Sequence, residues 1–167
     1  MANLILVCGL PGSGKSTYLS KFEHNINCVV VSRDKIRFSL LQEGEPYFSH
    51  EEDVCKNFWN QINEGLAANK NVYVDQTSLN QESRSYLLKH ITSHYDELII
   101  IWFNISVQTC LERNENRKDT KAYVPRGVIR RMSYQMVPPY LDEGFDKIYM
   151  YTENNELILE DSKENYE

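Results

Sequence analysis

The chain has 167 residues and a formal net charge of −6, from 18 Lys plus Arg against 24 Asp plus Glu. That length fits one domain with a core of its own, and 41% hydrophobic with 25% charged residues is a globular rather than a disordered mix. Net acidity excludes a nonspecific coat on nucleic acid or on an anionic membrane, but not a local basic site.

The opening MANLILVCGL lacks a basic n-region and is cut short by glycine. It reads as a buried strand, Asn3 to Cys8, rather than a signal peptide. Gly9 to Ser16 is a Gly-rich turn, and a helix follows to about Glu23. Cys28 to Val31 is a β-branched strand, Asp34 to about Leu41 a helix, and Gln42 to Phe48 a loop with Gly44 and Pro46. Ser49 followed by Glu52 predicts a capping box on a helix running to about Asn69. Val72 to Val74 is a strand, Asn80 caps a helix to about Thr92, and Leu98 to Phe103 is the most apolar strand. Ser106 caps the next helix, and Pro125 suits the first turn of another that ends near Pro138. Lys147 to Tyr151 and Leu157 to Leu159 are the last strands. Short continuous apolar strands alternating with helices predict an α/β fold. Its parallel sheet, of about five strands, carries helices on both faces.

No stretch approaches the ~18 apolar residues of a membrane span. Cys8, Cys28, Cys55 and Cys110 form no CxxC pair, so a reduced, cytoplasmic protein is expected. His90 and His94 are four apart without the glutamate of HExxH and read as a solvated helix face rather than a zinc site.

Gly9-Leu10-Pro11-Gly12-Ser13-Gly14-Lys15-Ser16-Thr17 matches GxxxxGK[ST] in full, between a hydrophobic strand and an amphipathic helix. Glycines let the backbone wrap a phosphate and turn successive N–H groups inward. Lys15 is expected on the β- and γ-phosphates and the Ser16 hydroxyl on Mg²⁺. Among P-loop proteins, a guanine-specific switch would need NKxD, and the nearest approach, Asn69-Lys70-Asn71-Val72, lacks the acid. An AAA-type or motor ATPase would end its strand in Asp-Glu, whereas here Asp75 is followed by Gln76. That leaves a small phosphotransferase. Asp34, just past a strand end, can serve as general base for an acceptor hydroxyl. Arg37, one helical turn on, faces the same side and could clamp an acceptor phosphate. An N-capping Asp beside a surface Arg is the plain alternative for this pair. Arg113 and Arg117, spaced i, i+4, could form a helical basic lid over about 113–124. The stretch Glu112 to Arg131 holds seven basic and three acidic residues, a net of +4.

Taken together, GLPGSGKST, SRDKIR, DQTSLN, RNENRKDTKAYVP and EGFDKI resemble the kinase domain of phage and bacterial 5′-polynucleotide kinases, along nearly the whole chain. The resemblance implies a single P-loop kinase domain over 1–167, with ATP and Mg²⁺ held by Lys15 and Ser16. It makes Asp34 the base for a 5′-hydroxyl of DNA or RNA. Arg37 then lies on the neighbouring phosphate, Arg117 on the ATP phosphates, and Arg113 at an earlier lid position. Two departures stand out. The phage acid that directly precedes the Thr of the third-strand turn is Gln76 here, with Asp75 one residue earlier, which puts Asp75 in support of the site or of the Mg²⁺ water shell. No DxDxT-type motif occurs, so removal of 3′-phosphates is not expected. No protein partner or membrane is implied. A kinase of a nucleoside or small metabolite would use the same residues, and a noncatalytic switch or assembly ATPase would not need Asp34. The tail from Thr152 to Glu167 carries six acids and one Lys. The negative net charge is thus spread over tail and surface, and the positive charge is gathered at the expected lid.

Overall fold

The computed structural model describes residues 1–167. Its centre is β1, Leu4–Cys8, with all five residues buried. Strand alternation sends Leu4, Leu6 and Cys8 into one core cluster and Ile5 and Val7 into another on the opposite face. A strand that buries both faces has no polar positions, and this is why it reads as a continuous apolar run. β2 (Cys28–Ser32), β3 (Asn71–Asp75), β4 (Leu98–Phe103), β5 (Lys147–Tyr151) and β6 (Leu157–Ser162) complete one sheet in the order β2-β3-β1-β4-β5-β6. The first five strands are parallel and β6 is antiparallel to β5. The expected sheet of about five parallel strands is therefore five plus an antiparallel edge.

The helices are α1 (Lys15–Leu19), α2 (Arg33–Leu40), α3 (Glu51–Ala67), α4 (Gln81–Lys89), α5 (Val107–Glu115) and α6 (Arg126–Gln135). α3 lays Val54, Phe58, Ile62 and Leu66 on one sheet face, and Leu19, Leu111 and Ile129 cover the other. No helix is long and apolar enough to cross a membrane. All four cysteines are free, with Cys8 and Cys110 buried.

Several local expectations are corrected. α1 ends at Leu19 and passes into a 3₁₀ turn, Ser20–Phe22. α3 has no capping box, because the Ser49 hydroxyl donates back to the Pro46 carbonyl (2.6 Å) and the helix starts two residues later. α4 stops at Lys89, where His90 caps it and stacks on Trp59 (centroids 3.7 Å apart), so His94 is not on the helix. The lid is helical only to Glu115. The last strand, expected over Leu157 to Leu159, runs on to Ser162, and Glu160 accepts from Trp102 Nε1 at 2.7 Å.

Because β2, β3, β1 and β4 run parallel, the P-loop, the start of α2, the turn after β3 and the start of α5 all meet at one carboxyl edge. Open α/β sheets bind ligands at this edge.

Candidate phosphoryl-transfer site

The loop from Gly9 to Gly14 is shaped by contacts that a side chain would obstruct. At Gly12 φ is +83°, and a Cβ would lie 2.5 Å from the Cys110 carbonyl oxygen of α5. At Gly14, which caps α1 with φ +102°, no side chain satisfies the helix N–H groups. Those donors and the helix dipole leave a cradle that suits anionic oxygen. Pro11 is half-buried between these turns, and the Gly9 N–H anchors the loop to the Thr77 carbonyl at 3.3 Å. Ser13 is buried with its Oγ unpartnered, while Ser16 and Thr17 are exposed.

Lys15 is buried, and its Nζ donates to the carbonyls of Gly9 (2.6 Å) and Leu10 (3.0 Å). Burial pulls its ammonium below the ordinary value, and Asp75 opposes that. The ammonium therefore has loop carbonyls to leave and a carboxylate nearby to keep it charged when a triphosphate arrives.

Arg113 donates from Nη1 to the Ser13 carbonyl at 3.1 Å, which ties the end of α5 to the P-loop. Arg117 is half-buried, and burial pulls it below the ordinary guanidinium range against the Asp34 carboxylate. Arg113 thus touches the loop, while Arg117 lies beyond the helix, held by Nε to Asn114 Oδ1 at 3.3 Å. Asn114 is the residue that sequence reasoning missed here. Wholly buried, it donates to the Val124 carbonyl (2.6 Å) and accepts the Val124 N–H (3.1 Å), closing the lid segment at its base. Its only sequence signal is its place inside Arg-Asn-x-x-Arg.

On the acceptor side, Ser32 caps α2 and places Asp34 in its first turn. The Asp34 side chain is 63% exposed, but Arg37 beneath it is only 6% exposed. Arg37 Nη1 donates to Asp34 Oδ1 (2.5 Å) and to the Tyr47 hydroxyl (2.7 Å), and Nε and Nη2 fork onto Glu51 (3.1 and 2.7 Å). Four of its five N–H groups are thus taken in this structure. Arg37 is the buried strut under Asp34. Glu51 is its counterion, held below the ordinary carboxylate range chiefly by that hydrogen bond, and it also takes Arg33 at 2.9 Å. Sequence reasoning had placed Glu51 only inside a helix start.

Asp75 pairs in register with Ser32 and with Val7 of β1. Burial pushes its carboxyl above the ordinary range, against the opposing charge of Lys15. Gln76 follows with its Oε1 buried and unpartnered. The structure thus gathers Lys15, Arg117, Asp34 and Asp75 closely enough to act on one another's charge. No cluster of three or more His, Cys, Asp or Glu suits a metal on its own. The residues present fit a Mg²⁺ that is carried mostly by phosphate oxygens and water, as that ion prefers.

Sheet order, P-loop and lid arginines define a P-loop nucleotide-binding kinase domain. A family model described as an AAA domain matches residues 4–139, and the chain belongs to that family, as a P-loop kinase domain. The exclusion of AAA-type ATPases on sequence is corrected by this match: the chain carries the AAA description although Asp75-Gln76 stands after β3 in place of an Asp-Glu pair. A candidate bifunctional polynucleotide kinase/RNA ligase of Autographa californica nuclear polyhedrosis virus is 27% identical over 129 residues, 70% of this chain and 18% of its own length. The L-seryl-tRNA(Sec) kinase of Methanococcus maripaludis is 29% identical over 148 residues, 86% of this chain and 56% of its own. A chain of the Pnkp1/Rnl/Hen1 RNA repair complex superposes with TM-score 0.71 at 25% identity, over 96% of this chain and 49% of that one. The chain therefore spans about half or less of each of these relatives.

Proposed function

We propose that this domain transfers the γ-phosphoryl of ATP to a 5′-hydroxyl at a DNA or RNA end. The observation that carries the reading is Asp34: an exposed carboxylate braced by a buried arginine, at the same edge as Lys15 and Arg117. A nucleotide switch has no use for such a group, whereas a kinase needs a carboxylate to accept the proton of the attacking hydroxyl.

Lys15 and Arg117 stabilise charge on the phosphates, and Arg113 keeps the loop and α5 in register. Mg²⁺ bound with the nucleotide would be held by the Ser16 hydroxyl, with Asp75 on its water shell, and supplies further positive charge. A polyanionic acceptor is supported by α6 and its flanks. From 120 to 141 there is no Asp or Glu, while Lys121, Arg126, Arg130 and Arg131 are all exposed. This stretch runs from Val124, held by Asn114, to Val137, whose N–H bonds Leu79 after β3 at 2.8 Å. It thus links the lid base to the turn after β3. Both sequence relatives, a polynucleotide kinase/RNA ligase and a seryl-tRNA kinase, are named for acceptors carried on nucleic acid. A second reading, a kinase of a small hydroxylated metabolite, is favoured by Tyr47, which narrows the approach to Asp34.

The test is label transfer from γ-labelled ATP to a panel: a 5′-OH RNA, a 5′-OH DNA, nucleosides and sugars. Labelling of the oligonucleotides at their 5′ ends is expected. Labelling of nucleosides or sugars alone would replace this reading with the second.

A further inference from the structure

The loop between α2 and α3 carries Tyr47, whose position the transfer reaction does not explain. The Tyr47 hydroxyl donates to Asp34 Oδ1 at 2.7 Å and accepts from Arg37 Nη1 at 2.7 Å. Its ring lies against the Arg37 guanidinium, 4.4 Å from centroid to Cζ. Burial and the hydrogen bond to Asp34 push the phenol up to about 12, so it keeps its proton and stays a donor.

That hydrogen bond is the one an acceptor hydroxyl must make to Asp34. The phenol is an O–H group on the same carboxylate, on Oδ1 beside Arg37, so acceptor and Tyr47 draw on the same negative charge. Tyr47 can also give way. It is 43% exposed, its neighbour Phe48 is 69% exposed, and the loop's other polar ties are mostly internal: Ser49 to the Pro46 carbonyl, and Glu45 to His50 and to the Gln42 N–H.

We propose that Tyr47 is an acceptor-mimicking gate that occupies Asp34 until an acceptor hydroxyl displaces it. With no acceptor bound, the competing nucleophile is water. Water activated by Asp34 would form a bond to the γ-phosphorus while the bridging P–O bond to the β-phosphate breaks. ADP leaves and the water proton goes to Asp34, so ATP is spent without transfer. A phenol on Oδ1 stabilises the carboxylate and makes it a weaker base towards water, and the buried Arg37, itself held by Glu51, keeps the phenol in place. Tyr47 is thus a positioning residue that couples ATP consumption to the acceptor. The inference rests on Asp34 as the acceptor-side base, but not on what the acceptor is.

The test measures ADP release from ATP without acceptor for wild type, Tyr47→Phe, and Tyr47→Phe combined with Asp34→Asn, with nucleotide affinity as a control. Removing one hydrogen bond of ~1 kcal/mol corresponds to about a fivefold change. Tyr47→Phe should therefore hydrolyse ATP about fivefold faster at unchanged ATP affinity, and the double variant should fall back to the wild-type rate or below. Tyr47→Phe should also lower the acceptor KM while kcat stays within about twofold. Equal hydrolysis by wild type and Tyr47→Phe would overturn the gate, and so would a rise that persists in the double variant. If Tyr47→Phe raises Asp34-dependent hydrolysis but no oligonucleotide is phosphorylated, the gate stands and the polynucleotide reading falls.

Discussion

Gly12→Ala and Gly44→Ala form a matched pair, because both glycines have φ +83° but only Gly12 faces an obstacle. Around Gly44 a new Cβ meets nothing within 4 Å, whereas at Gly12 it would lie 2.5 Å from the Cys110 carbonyl oxygen. Left-handed backbone costs an L-residue ~1–2 kcal/mol, partly offset by a stiffer unfolded chain, and this applies to both sites. The Gly12 Cβ meets backbone of α5, which cannot rotate away, so forced separation adds ~1–3 kcal/mol, typical of overpacking. The totals are ~1–2 kcal/mol for Gly44→Ala and ~2–5 kcal/mol for Gly12→Ala. At ~2–4 °C per kcal/mol for a chain of this size, Tm should fall by about 2–8 °C and about 4–20 °C respectively. Nucleotide affinity should drop only for Gly12→Ala, because α5 carries Arg113 to the loop. Thermal unfolding and nucleotide titration read both. A Gly12→Ala loss no larger than that of Gly44→Ala would refute the packing of the P-loop on α5.

Glu143→Ala strips the counterion from Arg84, whose side chain is 2% exposed and bonded to Glu143 at 2.8 Å. Denaturant unfolding should show a loss of ~3–5 kcal/mol, far less of it when Arg84→Met is added. For Asp75 the folded pKa is raised by burial, so its contribution is full below the unfolded pKa and is lost as pH rises through the folded one. Asp75→Asn should therefore match wild type in acid, exceed its Tm at neutral pH and transfer phosphate more slowly. A neutral-pH Tm below wild type would contradict this. Asn114→Ala frees Val124 and Arg117 together, so the KM for ATP should rise several-fold while acceptor KM holds, as steady-state kinetics would read.

Sheet, helix order and P-loop were legible because each rests on local pattern. Apolar runs such as Leu98 to Phe103 and the caps Asn80 and Ser106 act within a few residues, and both caps accept hydrogen bonds as expected. The acceptor side was half legible. Asp34 and Arg37 share a helix face, so their proximity follows from spacing. The claim of Glu51 and Tyr47 on Arg37 comes from chain 14 and 10 residues away, across a turn whose path no periodicity encodes. An arginine that looks free in a motif can thus be spoken for in the fold. The last strand was legible within the acidic tail for the same local reason: Leu157 to Leu159 marks it, β6 joins β5 through its backbone, and Glu156 and Glu160 beside that run stay exposed.

The central claim is that Asp34 is the base for a nucleic-acid hydroxyl, and single-turnover transfer to a 5′-OH RNA with wild type and Asp34→Asn tests it most directly. General bases contribute ~10²–10⁴-fold. Asp34→Asn should therefore slow transfer by about that factor while binding ATP as tightly as wild type. Transfer within a few-fold of wild type, or loss of ATP binding in its place, would contradict the account.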